Sequence, residues 1–240
     1  MISYLLMKEI PEISVFFPAY NEEKNIGKTV KNTLSILEKI AVKYEILIID
    51  DGSLDNTGAI SDKLAKENKI IRVIHHKPNQ GYGAALKSGF TNAEYEWIAT
   101  IDADGQFDFS EIEKLYKKTA HADIVIGYRL NRQDSVMRKI NGWLWTFLNN
   151  LLFGIKVKDV DCAFKLVNKK VIQKITPLES TRGGMISPEL LAKAKKAGFV
   201  TDQVPVHHYP RHEGKQTGAN LKVIIKSFVD LFKLWIKLSF

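Results

Sequence analysis

An α/β fold with a mainly parallel sheet covered by helices on both faces follows from three features of this sequence. Short runs rich in β-branched residues alternate with longer helical ones, turn-forming or acidic loops follow those runs, and the composition is close to the globular average (45 % hydrophobic, 26 % charged). A length of 240 residues suits one large domain or two small ones.

The elements are expected in strict alternation. A strand at residues 13–17 leads to a helix from about Lys24, and a strand at 45–49 to a helix from about Asn56. A strand at 70–74 precedes a helix near Tyr82 to Asn92, a strand at 97–101 precedes a helix from Ser110, and 123–126 forms a fifth strand. Further on, Trp143, Leu144, Phe147, Leu148, Leu151 and Leu152 recur at helical spacing. Near the end, Lys222, Lys226, Asp230, Lys233 and Lys237 share an arc of roughly 80° of one helix. That arrangement leaves Ile224, Phe228, Leu231, Phe232, Trp235 and Leu238 on a broad apolar face. Helices of this design lie in a membrane interface, or pack on the domain's own core or a second subunit.

The charge has a location. Of a net +8, residues 129–158 carry +5 and residues 205–240 carry +4, which leaves the rest near neutrality at −1. Trp143, Trp145 and Trp235 fall in the same two stretches, and basic residues interleaved with Trp suit an anionic membrane surface better than nucleic acid. Cys162 is the only cysteine, so an intrachain disulfide and a cysteine-based zinc site are excluded and a reducing cytoplasm fits. Lys8 and Glu9 interrupt the apolar N-terminus, which does not read as a signal peptide. The longest uncharged run, residues 140–155, holds three Asn and is shorter than the ~20 apolar residues a spanning helix needs.

In parallel sheets ligands bind beyond the carboxyl ends of the strands, so the loops there carry the chemistry. Pro18-Ala19-Tyr20-Asn21-Glu22-Glu23 follows the first strand, its acids at a helix N-terminus. Asp50-Asp51-Gly52-Ser53 follows the second; Ser53 or Asp55 suits a helix cap, and a carboxylate there can accept hydrogen bonds from a ribose or base. Asp102-Ala103-Asp104-Gly105-Gln106 follows the fourth. Two carboxylates one position apart, with a neutral oxygen from Gln106, can hold a hard divalent cation together with phosphate oxygens. An acidic turn is the plain alternative, and a calcium-binding EF-hand loop fails because Phe107 stands where glycine is required. Gly81-Tyr82-Gly83 only half matches a dinucleotide fingerprint and reads as a tight turn feeding a helix.

Together with Asn79-Gln80-Gly81, Gly83 and Ala85, these motifs resemble the family 2 inverting glycosyltransferases of the GT-A fold, over residues 13 to about 215. A narrower likeness is to the polyprenyl-phosphate sugar synthases of the dolichol-phosphate mannose synthase type. It is carried by Gly127-Tyr128-Arg129, Arg138 with Asn141, Asp161-Cys162-Ala163-Phe164-Lys165, Pro188-Glu189, Val204-Pro205-Val206, Arg211 and Gly214. Gln216 departs from the subgroup's usual serine. With the periodicity near the end of the sequence, the expected organisation is a catalytic domain at 1–217 and an amphipathic interfacial helix at 218–240. Pro18, Tyr20, Glu22, Asp51 and Gly81 are implied to line the nucleotide. Asp102, Asp104 and Gln106 are implied to hold Mg²⁺ or Mn²⁺ on the donor diphosphate, with Arg211 and Lys215 reaching the same group. Arg129, Arg138 and Asn141 are implied to grip an acceptor phosphate, and Asp161 and Glu189 to sit by the sugar, with Asp104, Asp161, Glu189 and Arg211 as the catalytic set.

The activity so implied is metal-dependent, inverting transfer of a hexose, mannose among the choices, from a GDP- or UDP-sugar to dolichyl or undecaprenyl phosphate. It places a peripheral enzyme on the cytoplasmic face of a membrane, with no nucleic-acid partner. Two rivals stand beside it: a family 2 transferase acting on a sugar hydroxyl, for which Glu189 or Asp161 supplies a base, and a non-catalytic, membrane-associated nucleotide-sugar binder. The plain reading of Arg129 and Arg138 is surface charge, that of Asp161 a turn, that of Glu189 a first-turn helix acid. The histidine pairs His75-His76 and His207-His208 read as structural or solvated.

Overall fold

The computed structural model describes residues 9–130, 136–181, 183–211 and 221–239. Among these residues seven strands form one sheet in the order β3-β2-β1-β4-β6-β5-β7. The first half runs as expected: β1 (Ile10–Ala19), α1 (Ile26–Ile40), β2 (Ala41–Asp50), α2 (Thr57–Glu67), β3 (Ile71–His75), α3 (Tyr82–Asn92) and β4 (Trp97–Thr100). A 3-10 turn at Phe109–Glu111 precedes α4 (Ile112–Tyr116), so the helix expected from Ser110 is short and starts as a tighter turn, capped by the Asp108 carboxylate on Ser110 N. Then come β5 (Ile124–Leu130), α5 (Val136–Phe153), β6 (Lys165–Asn168), α6 (Lys169–Ile175), α7 (Ile186–Lys196), β7 (Thr201–His207) and α8 (Leu221–Ser239).

β1 pairs parallel with β2 and β4, β2 with β3, and β5 with β7, whereas β6 runs antiparallel to β4 and β5. Successive β1 side chains serve opposite faces. Val15 and Phe17 join Ile26, Val30 and Leu37 of α1 on one side. Phe16 joins Leu86 and Phe90 of α3 on the other, with the Phe16 and Phe90 rings edge to face at 5.0 Å. A Cβ on Gly89 would collide with the Phe16 ring, so glycine there sets how closely α3 lies on the sheet.

The chain runs from β1 outward to β3, then returns to the other side of β1 as β4. The crevice beyond the carboxyl ends of β1 and β4 is therefore the topological switch point at which such sheets bind ligands. β6 and β7 carry weak strand patterns. β6 has four residues and one is Lys165, while β7 contains Pro205, which an edge strand tolerates because one side of its ladder is unpaired.

Each of the two apolar helices buries one part of its surface and leaves another exposed. In α5, Trp145, Thr146 and Asn149 are buried, whereas Met137, Ile140, Trp143, Leu144, Phe147 and Leu151 are exposed. α8 docks on the body through Leu231, which is fully buried, and Phe228, whose ring meets Trp145 edge to face at 5.4 Å. Val229, Phe232, Trp235 and Ile236 remain exposed on α8. One stripe of α8 thus packs on the domain's own core, as one of its expected readings has it, and a second faces outward. The expected domain boundary at 217/218 lies outside the described residues. Among the described residues no helix is long and apolar enough to cross a membrane.

Candidate active site

The loops after β1 and β2 are tied to each other. Asn21, at φ +57°, accepts from Leu54 N at 2.8 Å and its own N–H donates to Ser53 Oγ at 3.0 Å; Glu22 N donates to Thr57 Oγ1 at 2.7 Å. Pro18 is buried at the end of β1, and Tyr20 beyond it stands exposed. Ser53 and Asp55 thus serve a loop-to-loop brace, with Asp55 also accepting from Thr57 N at 2.9 Å.

Asp51 corrects one expectation. Its Oδ1 accepts from Gln80 N at 2.9 Å and meets His76 Nδ1 at 2.6 Å, while its Oδ2 accepts from Asn79 Nδ2 and Gly81 N, both at 2.8 Å. A carboxylate offers about four acceptor positions. Those of Asp51 are filled from within, so it shapes the 79–81 loop rather than standing open to a ribose. The second nitrogen of His76 meets Ser88 Oγ at 2.8 Å, and His75 bridges Asp50 and Asp62, which makes this pair structural.

The Asp102-Asp104 pair lies at the switch point. Ala103 between them is buried and its carbonyl accepts from Thr29 Oγ1 at 3.1 Å, so the intervening residue does turn away. Gly105, at φ +73°, reverses the chain and lets Gln106 N donate to Asp104 Oδ1 at 3.1 Å. Gln106 Nε2 donates to Tyr209 O at 2.9 Å and Tyr209 N to Gln106 O at 2.8 Å, which brings the segment after β7 across the pair. From there Arg211 reaches Asp104 Oδ2 at 3.5 Å and pairs closely with Glu22. Burial and the charge of Asp102 push Asp104 up to about 7. Burial also raises Asp102, against the pull of the Tyr82 hydroxyl, Lys165 and Arg129.

A second group of charges adjoins the first. Arg129 does not stand as surface charge: Nε and Nη2 engage Asp159 Oδ2 and Oδ1 at 2.6 and 2.9 Å. Burial alone lowers the guanidinium's pKa, and the paired Asp159 outweighs that and raises it. These bonds use two of the five N–H donors of Arg129 and fix the orientation of the other three. Lys165, 2 % exposed, donates to Cys162 O and feels Asp161, Asp159 and Asp102, while burial lowers its pKa. Trp145 Nε1 donates to Asp161 Oδ1 at 3.2 Å; crowding by the protein and the charge of Asp159 push Asp161 up to about 6, although the residue stays exposed to solvent. Burial takes the Cys162 thiol up to about 12, which makes it inert.

Glu189 is also corrected. It is 1 % exposed, and its oxygens accept from Glu179 N at 2.8 Å and Ser180 N at 2.7 Å and pair with Lys193 at 2.6 Å. Burial would raise its pKa, but these bonds lower it. It clamps the loop over the start of α3 and has no oxygen to spare for a sugar. Arg138 and Asn141 lie half-buried in the first turns of α5. Lys215, with Gly214 and Gln216, lies outside the described residues.

Sequence reasoning missed Asp159, Lys165 and Tyr82, the last donating to Asp102 Oδ1 at 2.9 Å. Lys165 had one signal, its place at the end of the Asp161-Cys162-Ala163-Phe164-Lys165 motif. Among the described residues no group of three or more His, Cys, Asp or Glu side chains is arranged to hold a metal ion. Glu22, Asp102, Asp104, Asp159 and Asp161 nevertheless face Arg129, Lys165 and Arg211, an excess of two formal negative charges over positive ones. Two carboxylates and an amide, in a site short of positive charge, fit a divalent cation that draws its remaining ligands from a diphosphate and water.

Residues 14–176 match the family model described as glycosyl transferase family 2. The dolichyl-phosphate beta-glucosyltransferase of Saccharomyces cerevisiae is 32 % identical over 219 residues, 81 % of this chain and 66 % of its own length. The undecaprenyl-phosphate 4-deoxy-4-formamido-L-arabinose transferase of Salmonella choleraesuis is 30 % identical over 220 residues, 90 % of this chain and 65 % of its own. The chain thus spans about two thirds of the length of these curated relatives. In three dimensions it resembles glucosyl-3-phosphoglycerate synthase from Mycobacterium tuberculosis, solved with Mn²⁺, UDP and glucosyl-3-phosphoglycerate, at a TM-score of 0.71 and 15 % identity over 95 % of this chain and 80 % of that one. That likeness concerns the fold, a GT-A architecture.

Proposed function

Because the chain belongs to glycosyl transferase family 2, we propose that it moves a sugar from a nucleotide sugar to a polyprenyl phosphate at a membrane surface. One observation carries this reading: the Asp102-Asp104 pair, crossed by Arg211 at the switch point, lies in the same body as a helix, α5, with an exposed apolar face and Arg138 in its first turns. The names of the two curated relatives, one dolichyl-phosphate and one undecaprenyl-phosphate, support the acceptor, while their different sugars leave the donor sugar open.

In this reading Pro18, Tyr20 and Glu22 border the nucleotide, and the 79–81 loop, fixed by Asp51, closes the other side. Asp102, Asp104 and Gln106 would hold Mg²⁺ or Mn²⁺, which supplies charge neutralisation to the diphosphate. Arg211, and Lys215 with it, offers further positive charge where the leaving group gains a negative one, which stabilises the transition state directly. An oxygen of the acceptor phosphate forms the new bond to the anomeric carbon as the bond to the diphosphate breaks, its electron pair leaving with the nucleoside diphosphate. A phosphate monoester with a second pKa near ~6 is already largely dianionic and needs no general base. Its need is anchoring, which falls to Arg138 and Asn141, with Arg129 held in place by Asp159. Asp161 stands near the sugar, beside Trp145.

The exposed Trp143, Phe147, Phe232 and Trp235, with the basic residues on the same two segments, support peripheral attachment, on the cytoplasmic face. An assay with radiolabelled nucleotide sugars and dolichyl or undecaprenyl phosphate tests the proposal. Lipid-linked product is expected, and Asp104→Ala should abolish it. No lipid-linked product from any common donor would sink the acceptor assignment. Transfer to a soluble sugar hydroxyl instead would favour the rival reading, with Asp161 as its base because Glu189 is clamped.

A further inference from the structure

Burial and neighbouring charges act on both Asp102 and Asp104, and Asp102 has in addition a directional contact that the mechanism does not use. The Tyr82 hydroxyl donates to its Oδ1 at 2.9 Å. Lys165 and Arg129 act on Asp102 by charge; a charge attracts without fixing orientation, whereas a hydrogen bond does both.

The mount that carries Tyr82 is rigid. It is the first residue of α3, and the residue before it, Gly81, donates its N–H to Asp51 Oδ2 at 2.8 Å. Two residues on, Ala84 N donates to Thr181 O at 3.1 Å, and a Cβ on Gly83 would stand 2.6 Å from the Ser180 carbonyl oxygen, so this turn of α3 is pressed against the 179–181 loop. That loop is in turn clamped by Glu189. The backbone of Tyr82 is thus fixed on both sides, and its half-exposed side chain has Asp102 as its hydrogen-bond partner.

We propose that Tyr82 is a positioning residue for Asp102: by holding one of its two oxygens, it presents the carboxylate in a single orientation to a divalent cation and ties the nucleotide-side loop to the carboxylate pair. This rests on the metal and nucleotide reading given above. Hydrogen-bond partners of metal-ligating groups are commonly worth about 10–100-fold in metal affinity.

The test is a Mn²⁺ titration of the full chain, followed by electron paramagnetic resonance, for wild type and Tyr82→Phe, with UDP and GDP present in separate arms. Phenylalanine keeps the ring and removes only the donor. The expected result is Mn²⁺ binding weakened about tenfold or more, with an unchanged melting temperature without metal and transfer activity that recovers at high Mn²⁺. Equal Mn²⁺ affinity in the two proteins overturns the inference alone. A lower metal-free melting temperature with unchanged Mn²⁺ affinity also overturns it, since the hydroxyl is then structural. Failure of the wild type to take Mn²⁺ with either nucleotide overturns the metal reading, and this inference with it.

Discussion

The Arg129 guanidinium meets the Asp159 carboxylate side-on through two hydrogen bonds, Nε to Oδ2 at 2.6 Å and Nη2 to Oδ1 at 2.9 Å. Both side chains are largely buried, and 30 residues of chain separate them. A buried charge left without its partner costs about 3–5 kcal/mol. Asp159→Ala should therefore lower the melting temperature markedly, by on the order of 10 °C at about 2–4 °C per kcal/mol. Arg129→Lys should also destabilise, because an ammonium cannot reproduce the two-point contact. Thermal denaturation followed by circular dichroism reads both.

Asp104 gives a pH dependence of definite sign. Its pKa in the folded chain is raised to about 7 by burial and Asp102. The folded state thus keeps a proton that the unfolded chain releases from about pH 4 upward. The associated stability is fully present below about pH 4 and is lost as pH rises through 7. Asp104→Asn carries no such proton. With divalent metal removed, wild type should lose stability relative to this variant between about pH 4 and 7 by at least ~1.4 kcal/mol, the equivalent of one pKa unit. A pH-independent difference in denaturant midpoints would contradict the assignment.

Glu189 should behave as a clamp. Replacing it by alanine strands the N–H groups of Glu179 and Ser180 and leaves the ammonium of Lys193 with Pro177 O but without its carboxylate. Each lost partner of this kind costs about 1–3 kcal/mol. Glu189→Gln keeps one acceptor oxygen and should melt between wild type and Glu189→Ala, with transfer reduced but present. Loss of all transfer at an unchanged melting temperature would instead mark Glu189 as a base.

The faces of α8 and α5 separate stability from membrane attachment. Leu231→Ala should destabilise by about 2–5 kcal/mol, since the side chain is wholly buried. Trp143→Ser with Trp235→Ser should leave the melting temperature nearly unchanged, because both indoles are exposed. That pair should weaken co-sedimentation with anionic phospholipid vesicles. Vesicle binding equal to wild type would remove the membrane assignment from these helices.

Much of the parallel half of the sheet was legible because its signals are local. Runs such as Glu45 to Ile49 and the helix Tyr82–Asn92 announce themselves by composition and period, and the motif loops follow directly from them. β6 and β7 were not legible: four residues that include Lys165, and seven that include Pro205, become strands only because β4 and β5 are there to pair with them.

The sequence by itself determined which residue types stand at the carboxyl ends of the strands, hence Asp102, Asp104 and Gln106 at the switch point, since strand, turn and side chain lie within a few residues of one another. Only the tertiary structure decided which carboxylates are available to a ligand. Asp51 is filled by a loop some 30 residues on, Glu189 by a loop 9 and 10 residues back, and Asp159 by Arg129, while Arg211 crosses 107 residues to Asp104. A carboxylate's role depends on how many of its acceptor positions the folded chain already fills, and those partners are brought together by sheet order rather than by sequence neighbourhood.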